Sequence, residues 1–154
     1  MALNISAADF AGGSTLPSKY TCQGDSISPA LAWTGEPGST RSFALIVEDT
    51  DAPAGLFTHW LIFNIPAATH SLPEGASPQG SRPKGSTEGK NDAGTLGYSA
   101  PCPPPGKPHR YYFKLYALSD KLALSSGASR AEMDASLKGL ILAEARTMGT
   151  YQRA

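Results

Sequence analysis

Ser42-Phe43-Ala44-Leu45-Ile46-Val47-Glu48-Asp49-Thr50-Asp51-Ala52-Pro53 is the stretch on which the fold turns. Phe43, Leu45 and Val47 alternate with smaller or polar residues, except at Ile46. That pattern suits an interior strand covered on both faces. Asp49 closes the apolar run, and the Asp-Ala-Pro end reads as a turn. For Asp51 the expected role is an Asx-type turn. For Asp49 it is a carboxylate in a pocket, orienting a histidine.

Two more runs of the same kind lie downstream. His59 opens Trp60-Leu61-Ile62-Phe63-Asn64-Ile65, and His109 opens Arg110-Tyr111-Tyr112-Phe113-Lys114-Leu115-Tyr116. If the three strands are neighbours, two histidines and an aspartate meet at one end of a sheet. Tyr111 lies two residues beyond His109 and so shares its face, with a hydroxyl able to donate to an anion. Singly, a histidine at a strand entry is a satisfied structural residue. Two at matching entries, each beside aromatics, point to a site. His70, in Ala67-Ala68-Thr69-His70, has no such setting and is expected at the surface.

Further strands are expected at Leu3–Ser6 and Ala30–Trp33, and a turn at Glu36-Pro37-Gly38-Ser39. Residues 67–108 hold eight of the 13 prolines and seven of the 16 glycines. So long a stretch with little apolar periodicity is often functional. Its far end, Gly97 to Pro103, is expected to wall the pocket, its prolines holding that wall cheaply. Near the C-terminus, Ser129 and Glu132 fit a capping box. Leu137, Leu140, Ile141, Ala145 and Met148 recur at helical spacing, so a helix is expected from Ser129 to Met148, stopped by Gly149.

Composition bounds the partners. The chain has 154 residues, 40% hydrophobic and 17% charged, with formal net charge zero. That length suits one domain, 1–154, with a sizeable core. No Lys/Arg cluster is visible, which argues against nucleic acid and against residence on an anionic membrane surface. No apolar stretch approaches a membrane span, so an integral membrane protein is not expected. The N-terminus shows no basic and apolar leader, and the reading is a soluble cytoplasmic protein. Cys22 and Cys102 have two readings. A reducing cytosol favours free thiols; the alternative is a disulfide tying the Cys22 loop to the Pro-rich loop.

Three chemistries remain. Cys102 could pair with His59 or His109 as a nucleophile in a weak hydrolase. It sits between prolines rather than at a helix N-terminus, so nothing visible lowers its pKa, and neither G-x-S-x-G nor H-E-x-x-H is present. A metal held by His59, His109 and Asp49 is chemically possible, but the spacing fits no familiar motif. Anion binding without a metal or cofactor, and without catalysis, is the preferred reading.

Asp49-Thr50-Asp51-Ala52-Pro53, His59-Trp60 and Gly106-x-x-His109-Arg110-Tyr111, taken in order, resemble the signature segments of the phosphatidylethanolamine-binding proteins. That family includes the Raf kinase inhibitor proteins of animals and the flowering-time regulators of plants. Cys22-Gln23-Gly24, Ser28-Pro29-x-Leu31-x-Trp33, Pro101-Cys102-Pro103-Pro104 and Met148-Gly149-Thr150-Tyr151 are similar to its bacterial and archaeal branch. The resemblance implies a mainly β fold, an antiparallel two-sheet β-sandwich with a C-terminal helix and short connecting helices. It also implies a pocket for phosphate, carboxylate or a phospholipid headgroup. Asp49, His59, His109 and Tyr111 match the family's pocket residues, and Pro103 falls near its wall proline. A protein kinase or peptidase target is a further implied partner. Thr50 stands where the family often has proline, and Ser99-Ala100 where prokaryotic members often have two glycines.

Overall fold

The computed structural model describes residues 2–78 and 80–154. The strands are β1 (Asn4–Ala7), β2 (Leu31–Thr34), β3 (Ser42–Ala52), β4 (Gly55–Pro66), β5 (Ser71–Leu72), β6 (Thr87–Glu88), β7 (His109–Leu118) and β8 (Ile141–Tyr151). The single α-helix among the described residues, α1, spans Arg130–Leu137. A three-stranded sheet runs β1-β2-β5, and a five-stranded one runs β6-β4-β3-β7-β8. Every neighbouring pair is antiparallel.

β3 is the interior strand that its pattern predicts. Phe43, Leu45 and Val47 enter the core between the sheets with Trp33, Trp60, Ile62 and Phe113. Trp33 packs on Phe43 with ring centroids 5.5 Å apart. Ala44 and Ile46 enter a second core on the opposite face, with Leu61, Phe63, Met133 and Leu137. The second core is why α1 docks. Its N-terminus carries the expected capping box of Ser129 and Glu132. Arg130 reaches the buried carboxylate of Glu48 at 2.9 Å, which Lys114 also approaches at 3.2 Å. A charge buried on β3 is tolerable because it is paired.

The C-terminal helix is far shorter than its apolar spacing suggests. It ends at Leu137, Gly139 adopts φ +80°, and the chain returns as β8. β8 pairs with β7 from His109↔Tyr151 to Leu118↔Ile141. Leu137 serves the helix, whereas Ile141, Ala145 and Met148 belong to a strand. The same segment also has a period of two: Ala143 and Ala145 face the core, and Glu144 and Arg146 face solvent. β7 would otherwise carry an open edge of unpaired backbone groups, and satisfying it overrides helical spacing. Gly149 is therefore no helix stop. It lies opposite Tyr111, and a Cβ there would sit 2.5 Å from Leu16 Cδ2.

Two other expectations change. Cys22 and Cys102 are joined in a disulfide, so the free-thiol reading is overturned. The bond crosses 80 residues of sequence, and the backbone beside it is paired too, Cys22 N–H donating to Pro101 O at 3.0 Å. Compartment alone could not show that these loops meet. The stretch 67–108 is not without structure either, since β5 and β6 add short edges to the two sheets. Glu36 to Ser39 is the turn that carries the chain from one sheet to the other, closed by Thr40 N–H to Pro37 O at 3.0 Å.

The division of the C-terminal segment is measurable. Met133, fully buried on α1, should cost about 2–5 kcal/mol on truncation to alanine. Leu142, 39% exposed on β8, should cost no more than about 0.5 kcal/mol. Urea melts of the two variants check this, and equal losses would contradict the assigned packing.

Candidate functional site

One end of the five-stranded sheet holds a cavity of about 250 Å³. β3, β4, β7 and the loop 99–104 line it, contributing Asp49, Ala52, Pro53, Phe57, His59, Ser99, Ala100, Cys102, Pro103, Pro104, His109 and Tyr111. The structure thus brings together all five residues singled out from sequence: Asp49, His59, Pro103, His109 and Tyr111. His70 lies elsewhere, at the surface, against Glu36 at 2.6 Å.

Register explains the meeting of Asp49 with His109. Asp49 sits opposite Tyr111 on β7, and His109 precedes Tyr111 by two residues on the same face. His109 Nδ1 donates to Asp49 Oδ2 at 2.6 Å. The other oxygen, Oδ1, accepts the Asp51 backbone N–H at 2.7 Å. The Asx-type turn expected of Asp51 is thus made by Asp49. Asp51 instead grips Arg110, whose Nε and Nη2 each donate at 2.9 Å and whose backbone N–H donates at 2.8 Å. That clamp fixes the start of β7 beside the β3–β4 hairpin. It was invisible in sequence because 59 residues separate the partners.

His59 reaches the same cavity by a different device. Val47 is opposite Trp60 and Glu48 is opposite Thr58, so His59 is the extra residue of a β-bulge. Without it, neighbours on a strand would point to opposite faces. With it, His59 and Trp60 lie on the same face: Trp60 in the inter-sheet core, His59 in the cavity. Bulges commonly re-aim a side chain in this way beside a site. His59 is therefore inside β4, not at its entry. Its Nδ1 donates to Ser99 O at 2.8 Å, since a carbonyl can only accept, and Ser99 N–H returns a bond to His59 O at 2.8 Å. The Ser99 carbonyl, being main chain, left no trace in residue type.

The two imidazoles thus use Nδ1 for protein contacts and leave Nε2 without a partner among the described residues. Burial pushes the His59 pKa down, against the pull of the Ser99 carbonyl and the Asp49 charge. Tyr111 is fully buried, and among the described residues its hydroxyl completes no well-formed hydrogen bond, although Asp49 lies close enough to act on it. Burial, and then Asp49, push its pKa up, so it stays a protonated donor. A buried hydroxyl left unpaired is uncommon and calls for an explanation. Among the described residues, no Lys or Arg lines the cavity. Any positive charge facing a ligand there comes from an imidazole taking up a proton. Among the described residues, no three His, Cys, Asp or Glu side chains are placed to share a metal ion.

The far wall is held from several directions. Tyr98 O–H donates to Tyr20 O at 2.8 Å, and its ring meets Trp60 edge-on at 5.7 Å. Arg153 Nε donates to Pro103 O at 2.6 Å, and the Gln152 amide donates to Gly106 O. The C-terminal residues therefore brace the pocket loop, a role with no motif to announce it. Ser99 and Ala100 both line the cavity.

Comparison with known proteins fits this geometry. A family model described as "Phosphatidylethanolamine-binding protein" matches residues 6–152. A protein of Methanothermobacter thermautotrophicus called a UPF0098 protein is 47% identical over 151 residues, 98% of this chain and 99% of that one. A UPF0098 protein of Aquifex aeolicus is 43% identical, over 98% of this chain and 89% of its own. Among solved structures, YbcL of E. coli, described as a member of the mammalian PEBP family, superposes with TM-score 0.94 at 34% identity over the whole of both chains. A phosphatidylethanolamine-binding protein homologue from Chlamydia trachomatis gives 0.91 at 37% identity over 99% of each.

The Asp51–Arg110 clamp has a pH signature. Hydrogen bonds from Arg110 hold the Asp51 pKa at about 2. A depressed carboxylate pKa contributes stability that is complete above the unfolded value of about 3.9 and is lost as pH falls toward 2. Thermal melts should therefore show the largest gap between wild type and Asp51→Asn above about pH 5. The gap should close near the folded pKa, and a gap that ignores pH would remove the clamp from the stability of the fold.

Proposed function

The chain belongs to the phosphatidylethanolamine-binding protein family, and on that footing we propose that its pocket binds a small anion without turning it over. The ligand class is phosphate, a carboxylate or a phospholipid headgroup. The observation that carries this reading is a cavity lined by two imidazoles and by Tyr111, whose buried hydroxyl has no hydrogen-bond partner among the described residues. A cavity of about 250 Å³ lies below the range of drug-sized sites, roughly 300–1,000 Å³. Headgroup-sized ligands fit that scale. Both oxygens of Asp49 are engaged, by His109 and the Asp51 amide, and a proton on His109 would offset its charge.

Binding without catalysis is supported by the fate of Cys102. In the disulfide it has no thiolate to attack a substrate, so in this oxidised state the hydrolase alternative loses its thiol nucleophile. A second reading, an inhibitor of a protein kinase or peptidase, draws support from the rim. Leu56, 52% exposed at the hairpin tip, stands beside Pro53 and Phe57 of the cavity wall. Nucleic acid finds no support in a chain of zero net charge. Among the described residues, no helix is long and apolar enough to cross a membrane. Cytoplasmic residence and the Cys22–Cys102 bond pull in opposite directions, since the cytosol keeps most thiols reduced. Cell fractionation decides between them.

The pocket's charge comes from imidazole, so affinity is linked to pH. His59, with a lowered pKa, is neutral at pH 7 and must take up a proton to attract an anion. Phosphate affinity should rise as pH falls through and below the ordinary imidazole value of about 6.5. At fixed pH, Tyr111→Phe and His109→Ala should each weaken phosphate about tenfold or more, the worth of a hydrogen bond to a charged group. Calorimetric titration measures this. Wild-type affinity in both variants would sink the proposal, and conversion of phosphoethanolamine to free phosphate would replace binding with catalysis.

A further inference from the structure

We propose that the Cys22–Cys102 disulfide is a redox latch on the pocket wall, opened by a dithiol reductant, whose state sets how firmly the pocket is formed. The inference rests on the cavity being the ligand site.

Three observations meet at this bond. Cys102 itself lines the cavity. Both cysteines are exposed residues, so the bond lies at the surface, and accessible disulfides are the labile ones. The third is the wall's backbone. Pro101, Pro103, Pro104 and Pro105 carry no N–H and cannot donate to any neighbouring strand. The wall hangs instead from a few points. Ser99 is tied to His59, and Pro103 and Gly106 are tied to the C-terminal residues. Between those points, Pro101 O accepts from Cys22 N–H, a bond to the very loop that the disulfide secures. The covalent link therefore stands in for hydrogen bonds that a proline run cannot make.

The opening step is ordinary thiol–disulfide exchange. A thiolate of the reductant attacks one sulfur, forms a mixed disulfide and expels the other cysteine as thiolate. The second thiol of the reductant resolves the mixed disulfide. Two electrons and two protons pass to the protein, giving two cysteine thiols and an oxidised, disulfide-bonded reductant. Ala100, Cys102, Pro103 and Pro104 are then held by fewer ties, and the ligand must order them on binding. Reduction should weaken phosphate binding about tenfold, the equivalent of ordering one or two side chains.

The test uses the intact protein in two states, oxidised and treated with dithiothreitol, which brings no competing anion. Intact mass reports whether the bond has opened. Phosphate titration reports affinity, and hydrogen exchange reports the amides of Ala100, Cys102 and Gly106. The expected result is ready reduction, faster exchange at those amides, and phosphate bound about tenfold more weakly. A double variant, Cys22→Ser with Cys102→Ser, should match the reduced state and ignore dithiothreitol. A native bond that resists dithiothreitol, or equal exchange in the two states, overturns the latch. Equal phosphate affinity in both states overturns its effect on the pocket. If neither state binds phosphate, the ligand reading fails, and exchange still decides whether the bond holds the wall.

Discussion

β3 has neither a free edge nor a free face. β4 and β7 satisfy its backbone on both sides, the inter-sheet core takes Phe43, Leu45 and Val47, and the core under α1 takes Ala44 and Ile46. A strand so enclosed cannot slip by one residue without sending every side chain to the wrong core. Asp49 is therefore fixed in place by residues that never touch the pocket. From it follow the partner for His109, the turn to Asp51 and the level at which Tyr111 ends the core and begins the site.

The pocket floor shows what that rigidity allows. A buried hydroxyl without a partner among the described residues is a costly arrangement, whereas burial spares His59 such a cost by keeping it neutral. The hydroxyl persists because the surrounding sheet leaves it no alternative. Tyr111 is held between β3 and β8, where Gly149 gives Leu16 room to close over the strand. The site is thus a set of polar groups held in fixed positions by apolar packing. Preorganisation of this kind removes part of the ordering cost of binding.

Much of this was legible in the chain itself. The alternation in Ser42–Glu48, and the two histidine-led runs, were enough to expect three strands which, if neighbours, would bring two histidines and Asp49 to one end of a sheet. Where legibility failed, the missing information was tertiary. The apolar spacing of residues 137–148 satisfies a helix as well as it satisfies a strand, and only the open edge of β7 distinguishes them. The disulfide depended on two loops meeting across 80 residues. Asp51 looked like a turn residue because its arginine partner is remote in sequence. The bulge at His59 leaves no compositional mark at all, since it is a property of how two strands count past each other.

That mismatch in count separates the sheet into two regimes. Beyond the bulge, from Trp60 onward, β4 is locked to the core, and any change in length would be felt throughout the molecule. Before it lies the tip, residues 50–57, which forms the mouth of the cavity and packs into neither core. The bulge acts as a joint between a stretch held by core packing and a tip held by the Asp51–Arg110 clamp, so a change in the tip is felt first at the mouth of the cavity and not in the core.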